Sequence, residues 1–301
     1  MSSRAAGPDD HTHPHDDDTE VFEVERPRLL GLAYRLLGSL TDAEDVVQEA
    51  WIRWDGAGTA SVERPAAWLT TVTTRLALDR IRSAEQRRAA YVGPWLPEPV
   101  AVEVGPEEAA ELAESLTFGF LVLLDQLTGI ERAVLLLADV FGQPFREIAE
   151  TVGRSEAACR QIASRARRRL READTDHRAA DEALLVRLVD AMGRGDAPAL
   201  IELLHPEVVL VSDGGADRHA GRRPVAGPDK VARILLNLTR RIPADATLSF
   251  EQLNLRAAVV IGIGAETIVV QVDQVDDRAE AIRVVVNPDK TRNVGRPVRL
   301  S

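Results

Sequence analysis

Apolar side chains recur every three or four residues through the first half of the chain, a spacing that predicts helices. The first predicted helix ends at Gly38-Ser39. A capping box formed by Thr41 and Glu44 predicts the start of a second helix, because each side chain can bond the other residue's backbone amide. The apolar face of the first helix consists of Leu29, Leu30, Leu32, Ala33, Leu36 and Leu37.

A third helix is predicted from Pro65, which follows a glycine-containing loop at 55–63. Its inward stripe is Trp68, Leu69, Val72 and Leu76, with Trp68 interpreted either as core or as a stacking platform. Its other face carries hydroxyl and guanidinium groups at Thr70, Thr71, Thr73, Thr74, Arg75, Arg80 and Arg82. Such a face suits the backbone and bases of a nucleic acid.

A helix-turn-helix is predicted at residues 144–170, directly after another helix. Thr128 and Glu131 form a capping box before a buried helix that stops at 141–144. The next helix is short and ends at Gly153, a suitable left-handed C-cap, and Ser155 suits the N-cap of the helix that follows. The inward stripe of this last helix is Ala158, Ile162, Ala166 and Leu170.

The pattern changes after residue 181, where helical and strand-like segments alternate. The predicted helices are 182–192, 198–204 and 228–240. The predicted strands are 208–213, 247–253, 257–264, 266–272 and 280–286. This order predicts an α+β domain with three helices over a curved sheet.

Charge distinguishes one helix from the rest of the chain. The 301 residues carry a net charge of -11, yet seven arginines and a single acid, Glu156, fall between Arg154 and Arg171. This local reversal of sign predicts a nucleic-acid surface, with a solvated basic helix as the alternative. The residues expected to reach duplex DNA are Arg154, Ser155, Glu156, Arg160, Gln161, Ser164, Arg165 and Arg168.

The remaining composition narrows the class of protein. The lone cysteine, Cys159, excludes an internal disulfide and is expected to be a buried thiol. No apolar run has membrane length and no signal peptide is present, which predicts a cytoplasmic protein. The acidic tail at 1–21 is expected to be disordered, and its histidines at 11, 13 and 15 are interpreted as tail residues rather than metal ligands. No metal, cofactor or catalytic residue is expected.

Several segments together resemble a known family. DAEDVVQEAW (42–51), PAAWLTTVTTRLALDRIR (65–82) and the helix-turn-helix resemble regions 2 and 4 of bacterial extracytoplasmic-function (ECF) sigma factors. YVGPWLPEP (91–99) and NPDK (287–290) resemble segments of the members that carry a SnoaL-like carboxy-terminal extension. The implied fold is multidomain: two all-α sigma modules, the second a helix-turn-helix, followed by an α+β SnoaL-like cone-shaped barrel.

The resemblance implies five segments along the chain. They are the tail 1–21, region 2 at 22–85, an acidic proline-containing linker at 86–115, region 4 at 116–173 and the SnoaL-like domain at 174–301. The implied partners are promoter DNA and core RNA polymerase, through its beta-prime clamp helices and its beta subunit. The linker is implied to thread into the polymerase, with a plain acidic linker as the alternative.

Roles for particular residues follow from the same resemblance. Asp42, Asp45, Gln48 and Glu49 are implied to bind the clamp helices, and their acidity suits a basic partner. The residues implied to bind the melted minus-ten element are Thr71, Thr74, Arg75, Arg80 and Arg82. Many relatives have asparagine where this chain has Arg75, so their base preference does not transfer.

The SnoaL-like domain has two implied regulatory motifs, Asp213-Gly214-Gly215 and Asn287-Pro288-Asp289-Lys290. We expect this domain to contact the chain's own sigma modules and to hold them in a compact, promoter-incompetent arrangement. A ligand-sensing pocket and catalysis by Asp213, Asp217, His205 or His219 are the alternatives for the domain. For the whole chain, the alternatives are a ligand-responsive helix-turn-helix regulator and a DNA-tethered SnoaL-like enzyme.

Overall fold

The computed structural model describes residues 14–57, 62–88, 91, 93–105, 112, 115–173, 178–215 and 220–301. For 14–17, 84–88, 173, 178 and 179 only the backbone is described. The predictions about His11, His13, Asp217 and His219 therefore lie outside the described residues, and that about His15 concerns a side chain that is not described.

Three helices form the first module: α1 at Pro14–Leu37, α2 at Leu40–Asp55 and α3 at Pro65–Arg88. The expectation of disorder through residue 21 is wrong for 14–21, which belong to α1. Two contacts explain the extra turns, since Phe22 is buried against the ring of Trp51 and the backbone oxygen of Asp18 accepts a hydrogen bond from Trp54.

The start of α2 differs from the predicted capping box. Ser39 is the N-cap, and its hydroxyl accepts a hydrogen bond from the amide of Asp42 at 3.2 Å. The carboxylate of Glu98 accepts hydrogen bonds from the amides of Leu40 at 2.8 Å and Thr41 at 3.4 Å. A distant acid thus satisfies the free amides that Glu44 was expected to serve.

The second module contains α4 at Phe118–Leu124, α5 at Gly129–Leu135 with a π-helical turn at Leu136–Val140, α6 at Phe145–Val152 and α7 at Glu156–Ala173. The capping box of Thr128 and Glu131 is confirmed. Buried residues of this module and of α1–α3 form one continuous core, so the two modules pack together.

The carboxy-terminal region is the predicted α+β domain. Its helices are α8 at Glu182–Arg194, α9 at Ala197–Glu202, α10 at Pro228–Thr239 and the short α11 at Pro288–Thr291. A two-residue strand, β1 at Ala101–Val102, precedes it in the linker. Its own strands are β2 at Arg178–Ala179, β3 at Leu204–Asp213, β4 at Val225–Ala226, β5 at Thr247–Leu253, β6 at Arg256–Ile263, β7 at Glu266–Val275, β8 at Arg278–Val285 and β9 at Pro297–Val298. The main sheet has the order β4-β3-β8-β7-β6-β5, with β2 paired to β7.

The two faces of this sheet have different partners. Helices α8, α9 and α10 cover one face with an apolar core. On the other face, Leu96 of the linker and Phe118 of α4 pack against Val260 and Val269. Strand β1 pairs in parallel with β9, which joins the linker to the end of the chain. Residues 93–102 of the linker are therefore part of the folded structure, between the sheet and the first helical module.

No helix in the described part of the chain is both long enough and apolar enough to span a lipid bilayer.

Candidate functional site

The basic helix α7 presents its predicted DNA face to solvent. Gly153 has the left-handed conformation expected of a C-cap, with φ of 65°, and the hydroxyl of Ser155 caps α7 by accepting from the amide of Ala158 at 3.2 Å. Cys159 is fully buried in the core, as predicted. All eight predicted DNA contacts are exposed: Arg154, Ser155, Glu156, Arg160, Gln161, Ser164, Arg165 and Arg168.

The arginines of α7 fall into two groups by their partners. Arg167 forms two bonds to Asp139, at 2.5 and 2.8 Å, and Arg169 bonds Glu131 at 2.9 Å, so both hold α7 on α5 and its π-helical turn. Arg160 pairs with Glu156 one turn earlier and lies 4.8 Å from the ring of Phe145. Arg165 has no ion pair among the described residues and is available for phosphate.

The acidic face of α2 is partly neutralised within the first module. Arg80 of α3 bonds Asp42 at 2.9 Å and also pairs with Asp45. Glu49 pairs with Arg53 at 3.1 Å, whereas Gln48 is exposed. The sequence-based assignment placed Arg80 with nucleic acid, but in this arrangement it is engaged by the two acids assigned to the polymerase.

The hydroxyl face of α3 is not the open surface that the sequence predicted. Thr70, Thr73 and Thr74 are buried, and the hydroxyls of Thr73 and Thr74 have no hydrogen-bond partner among the described residues. The predicted stripe had the wrong centre, because Trp68, Val72 and Leu76 are only half-buried. The buried side is centred instead on Leu69, Thr70, Thr73, Thr74, Ala77, Leu78 and Ile81.

Part of that face is occupied by α6. The hydroxyl of Thr71 lies 3.1 Å from the hydroxyl of Thr151, and Arg75 donates to the backbone oxygens of Thr151 at 3.0 Å and Glu150 at 2.8 Å. Of the five predicted minus-ten contacts, only Arg82 is exposed without a bond to another helix; it pairs with Asp79 at 2.9 Å. The second module therefore covers much of the surface predicted to read melted DNA.

The Asp-Gly-Gly and Asn-Pro-Asp-Lys motifs meet around the linker. Asp213 is fully buried, and its carboxylate receives hydrogen bonds from Lys290 at 2.6 Å, from the amide of Leu96 at 2.8 Å and from the hydroxyl of Tyr91. The amide of Gly215 completes this set at 3.1 Å. We call the group formed by Tyr91, Leu96, Asp213 and Lys290 the linker clamp.

Lys290 also binds the linker directly. Its ammonium group donates to the backbone oxygen of Leu96 at 2.5 Å and lies 4.0 Å from the ring centre of Trp95, a cation–π distance. Asn287 donates to Tyr91 at 3.0 Å and caps α11 through the amide of Asp289. Burial, and then the adjacent Asp213, raise the pKa of Tyr91, so the phenol stays protonated as a donor.

A glycine is required beside this clamp. Gly215 has φ of 67°, and a Cβ on it would meet the side chain of Asn287 at 2.8 Å. Pro288 occupies the first turn of α11, where its missing amide costs no hydrogen bond. Gly214 is buried next to Asp213. The two motifs thus connect the end of β3, the start of α11 and the linker.

The linker is held on its other side by the first module. Tyr34 of α1 donates to the backbone oxygen of Glu98 at 2.6 Å and accepts from Asn254 of the α+β domain at 2.8 Å. The Glu98 carboxylate accepts from the start of α2 and, at 2.9 Å, from Asn293. Burial raises the pKa of Glu98 even though these donors favour its charged form. Sequence reasoning missed Tyr34, Asn254 and Asn293, because nothing local marks them.

The end of the chain reaches the acidic helix as well. Arg292 donates to the hydroxyl of Thr41 at 2.8 Å, and Arg296 lies 3.5 Å from Glu44. Both residues that were expected to form the capping box of α2 are thus engaged by the α+β domain. These contacts lie beside Asp42 and Asp45.

Comparisons with known proteins agree with this architecture. A model of sigma-70 region 2 matches residues 21–88, and a model of sigma-70 region 4 matches residues 119–170. The Mycobacterium tuberculosis ECF RNA polymerase sigma factor SigJ is 44% identical over 231 residues, 74% of this chain and 74% of that protein. Probable ECF sigma factor SigI of the same species is 33% identical over 232 residues, 74% of this chain and 77% of that protein. The crystal structure of SigJ has a TM-score of 0.73 at 35% identity and covers 91% of this chain and 98% of its own.

Two helical DNA-reading modules joined in this order define a transcription initiation factor of the sigma type. The chain belongs to the ECF sigma factors of RNA polymerase and is similar to SigJ. Sigma factors bind core RNA polymerase and promoter DNA and are not enzymes. The enzyme alternative is therefore set aside, and Asp213 contributes to a buried ion pair.

Proposed function

We propose that the α+β domain controls promoter recognition by holding the linker and both sigma modules in one compact arrangement. The observation that carries this proposal is the linker clamp, in which Asp213 and Lys290 bind Tyr91 and Leu96 while region 2 binds Glu98. The occupied face of α3 supports the same reading, because melted DNA and α6 compete for Thr71 and Arg75. In this arrangement the protein is expected to be a poor promoter binder.

The polymerase is a natural competitor for the linker. The family resemblance implies that this segment threads into the polymerase, where its acids face a basic channel. Leu96 cannot occupy that channel and the clamp at the same time. Binding of core polymerase is therefore expected to release the linker from Asp213 and Lys290. Part of the free energy of polymerase binding is then spent on breaking the contacts between the α+β domain and the linker.

Each surface has a distinct role in the open state. Asp42, Asp45, Gln48 and Glu49 bind the beta-prime clamp helices, and the exposed face of α7 reads the minus-35 duplex. The minus-ten element is bound by Thr71, Thr74, Arg75, Arg80 and Arg82 after α6 moves away and Arg80 is released by its two acids. The protein performs this role in the cytoplasm. Regulation by a protein contact within the chain is favoured over catalysis, because Asp213 is committed to Lys290.

Transcription in vitro tests control by the domain. Core polymerase is combined with the wild-type chain, with Lys290→Met, or with Arg194→Gln, on promoters identified by mapping transcript starts. Lys290→Met is expected to raise initiation severalfold at limiting polymerase, because it weakens the clamp without touching a DNA or polymerase surface. Arg194→Gln breaks an exposed ion pair on α8 and serves as the matched control.

Two results would contradict different parts of the proposal. Equal transcription by wild type and Lys290→Met would exclude control through the clamp and leave the sigma assignment intact. Absence of transcripts with every variant, on every promoter tested, would contradict the assigned surfaces themselves.

A further inference from the structure

A cleft lies where the three parts of the molecule meet and has a volume of about 1440 Å³. Its walls come from α1 of region 2, from α4, α5 and α7 of region 4, and from β6, β7 and β8 of the α+β domain. The linker clamp lies elsewhere, in a smaller cavity. Drug-sized ligands occupy pockets of roughly 300–1,000 Å³, so the cleft has room for such a molecule.

The cleft is basic although the whole chain is acidic. Six arginines and two aspartates line it: Arg28, Arg35, Arg167, Arg171, Arg256 and Arg283, with Asp139 and Asp273. Both aspartates are already engaged, because Asp139 pairs with Arg167 and Asp273 pairs with Arg283.

Two of the arginines, Arg171 and Arg256, have no carboxylate partner within the part of the chain that the structure describes. Arg171 is exposed at the end of α7, and Arg256 is half-buried on β6. Arg35, by contrast, is 1% exposed and is already bonded to the hydroxyl of Ser115, at 3.0 Å, and to an oxygen of Ser301, at 3.4 Å. Burial lowers the pKa of Arg35 to about 10.

Two buried polar atoms in the cleft wall also lack hydrogen bonds. The Nε of Arg256 and the Oε1 of Gln271 have no partner among the described residues, and Gln271 is 5% exposed. Buried polar groups are nearly always satisfied, so this donor and this acceptor are both available to a polar ligand in the cleft.

The remaining wall is apolar and aromatic. Phe118 and Phe120 of α4 and Phe141 after the π-helical turn line it, together with Val122 and Leu123. The Arg35 guanidinium lies 5.6 Å from the centre of the Phe141 ring. A ligand that fits must therefore offer both negative charge and a flat apolar group.

We propose that this cleft is a binding site for a nucleoside phosphate. The phosphates bind the guanidinium groups of Arg171 and Arg256, and the base packs among the phenylalanine rings. Arginine suits phosphate because its planar donors bond two oxygens at once. The Oε1 of Gln271 accepts from an amino group of the base.

Occupancy of the cleft has a direct structural consequence. The ligand contacts both sigma modules and the α+β domain at once, so it binds best when the three are together. It is therefore expected to favour the compact arrangement. The binding itself does not depend on whether the domain controls transcription.

Calorimetry on the full-length chain tests the site with ADP, adenosine and pyrophosphate as separate probes. ADP is expected to bind more tightly than either fragment. Arg256→Gln and Arg171→Gln are each expected to weaken ADP binding about tenfold, the usual value of a charged hydrogen bond. Arg171 is exposed, so its variant is informative even if Arg256→Gln fails to fold.

Two further variants locate the binding. Arg187→Gln, on the exposed side of α8, and Arg165→Gln, on the DNA face of α7, should bind ADP as the wild type does. Loss of binding with Arg165→Gln but not with Arg171→Gln or Arg256→Gln would place ADP on the DNA surface and overturn the proposal. Pyrophosphate binding as tightly as ADP would overturn the nucleoside assignment, and no binding of any probe at millimolar concentration would reject the site.

Discussion

The two surfaces that we propose to bind DNA differ in their exposure. On α7 of region 4 all eight predicted contacts are exposed, whereas on α3 of region 2 the hydroxyl face is buried or bonded to α6. The protein in this arrangement exposes the proposed duplex-binding surface and covers much of the surface proposed for the melted strand. The limiting step for promoter opening is therefore expected to be release of region 2.

The difference arises from how each surface is built. The DNA-face arginines of α7 project from a helix whose opposite side is apolar, so water can satisfy the hydrogen-bond donors of their guanidinium groups. The threonines of α3 are small and uncharged, and their methyl groups can pack against apolar neighbours. Burial leaves the hydroxyls of Thr73 and Thr74 without a partner among the described residues, whereas α6 supplies hydrogen-bond partners for Thr71 and Arg75.

The largest effect is expected from breaking the linker clamp, which would leave the hydroxyl face of α3 as exposed as the basic face of α7. Lys290→Met leaves the charge of Asp213 buried without its ion-pair partner, and loss of one partner of a buried pair typically costs about 3–5 kcal/mol. Urea unfolding, followed by circular dichroism, measures this loss. The paired variant Asp213→Asn with Lys290→Met should recover part of it.

An exposed ion pair supplies the matched control for that measurement. Arg194 and Asp190 pair at 2.8 Å on the surface of α8, with more than half of each side chain exposed. Arg194→Gln should change the free energy of unfolding by less than about 0.5 kcal/mol. Similar losses for Lys290→Met and Arg194→Gln would mean that the clamp contributes little to the compact arrangement.

The sequence predicted those parts of the structure that depend on neighbouring residues. The turn at Gly153 and Ser155, the capping box at Thr128 and the alternation of strands and helices after 181 are all local patterns, and all are confirmed. The exposed face of α7 followed because charge and helical spacing agree there.

Contacts between residues far apart in the sequence could not be predicted in the same way. Glu98 lies 58 residues from Leu40, whose amide it caps, and no local rule prefers it to the Thr41 and Glu44 box. The clamp likewise joins residues separated by 77 positions or more. On α3, polarity was read as exposure, although threonine side chains carry no charge that would oppose burial.

A second prediction concerns the contact that covers region 2. Arg75→Gln removes two hydrogen bonds from a guanidinium to the end of α6, worth about 1 kcal/mol after allowance for partial exposure. Amides of residues 145–152 should then exchange with deuterium about fivefold faster, because 1 kcal/mol corresponds to that factor. Arg82→Gln, on the same helix but bonded only to Asp79, should not change the exchange. Equal exchange in both variants would show that Arg75 does not hold the modules together.

A third prediction sharpens the description of region 4. Arg165 has no ion pair among the described residues, so Arg165→Gln should weaken duplex binding at all sequences. The plot of the logarithm of the binding constant against the logarithm of the salt concentration should become less steep by about 0.9. Arg160→Gln or a change at Gln161 should instead alter sequence preference if these residues reach bases. Titrations at several salt concentrations, on promoter and scrambled duplexes, measure both effects. An unchanged slope for Arg165→Gln would remove this arginine from the phosphate contacts.

The smallest effect is expected from pH, through the acid that joins the linker to region 2. Burial raises the pKa of Glu98, so the folded protein holds this proton more tightly than the unfolded chain does. Its contribution to stability is therefore fully present below the unfolded pKa of about 4.3 and is lost as pH rises through the folded pKa. Glu98→Gln should remove this dependence, so the variant should gain stability relative to wild type as pH rises from 4 towards neutrality. Unfolding curves at several pH values measure the change, with the exposed Glu103→Gln as control. A wild-type advantage that grows with pH would mean instead that the donors from Leu40, Thr41 and Asn293 outweigh burial, and that Glu98 secures the linker best when it is charged.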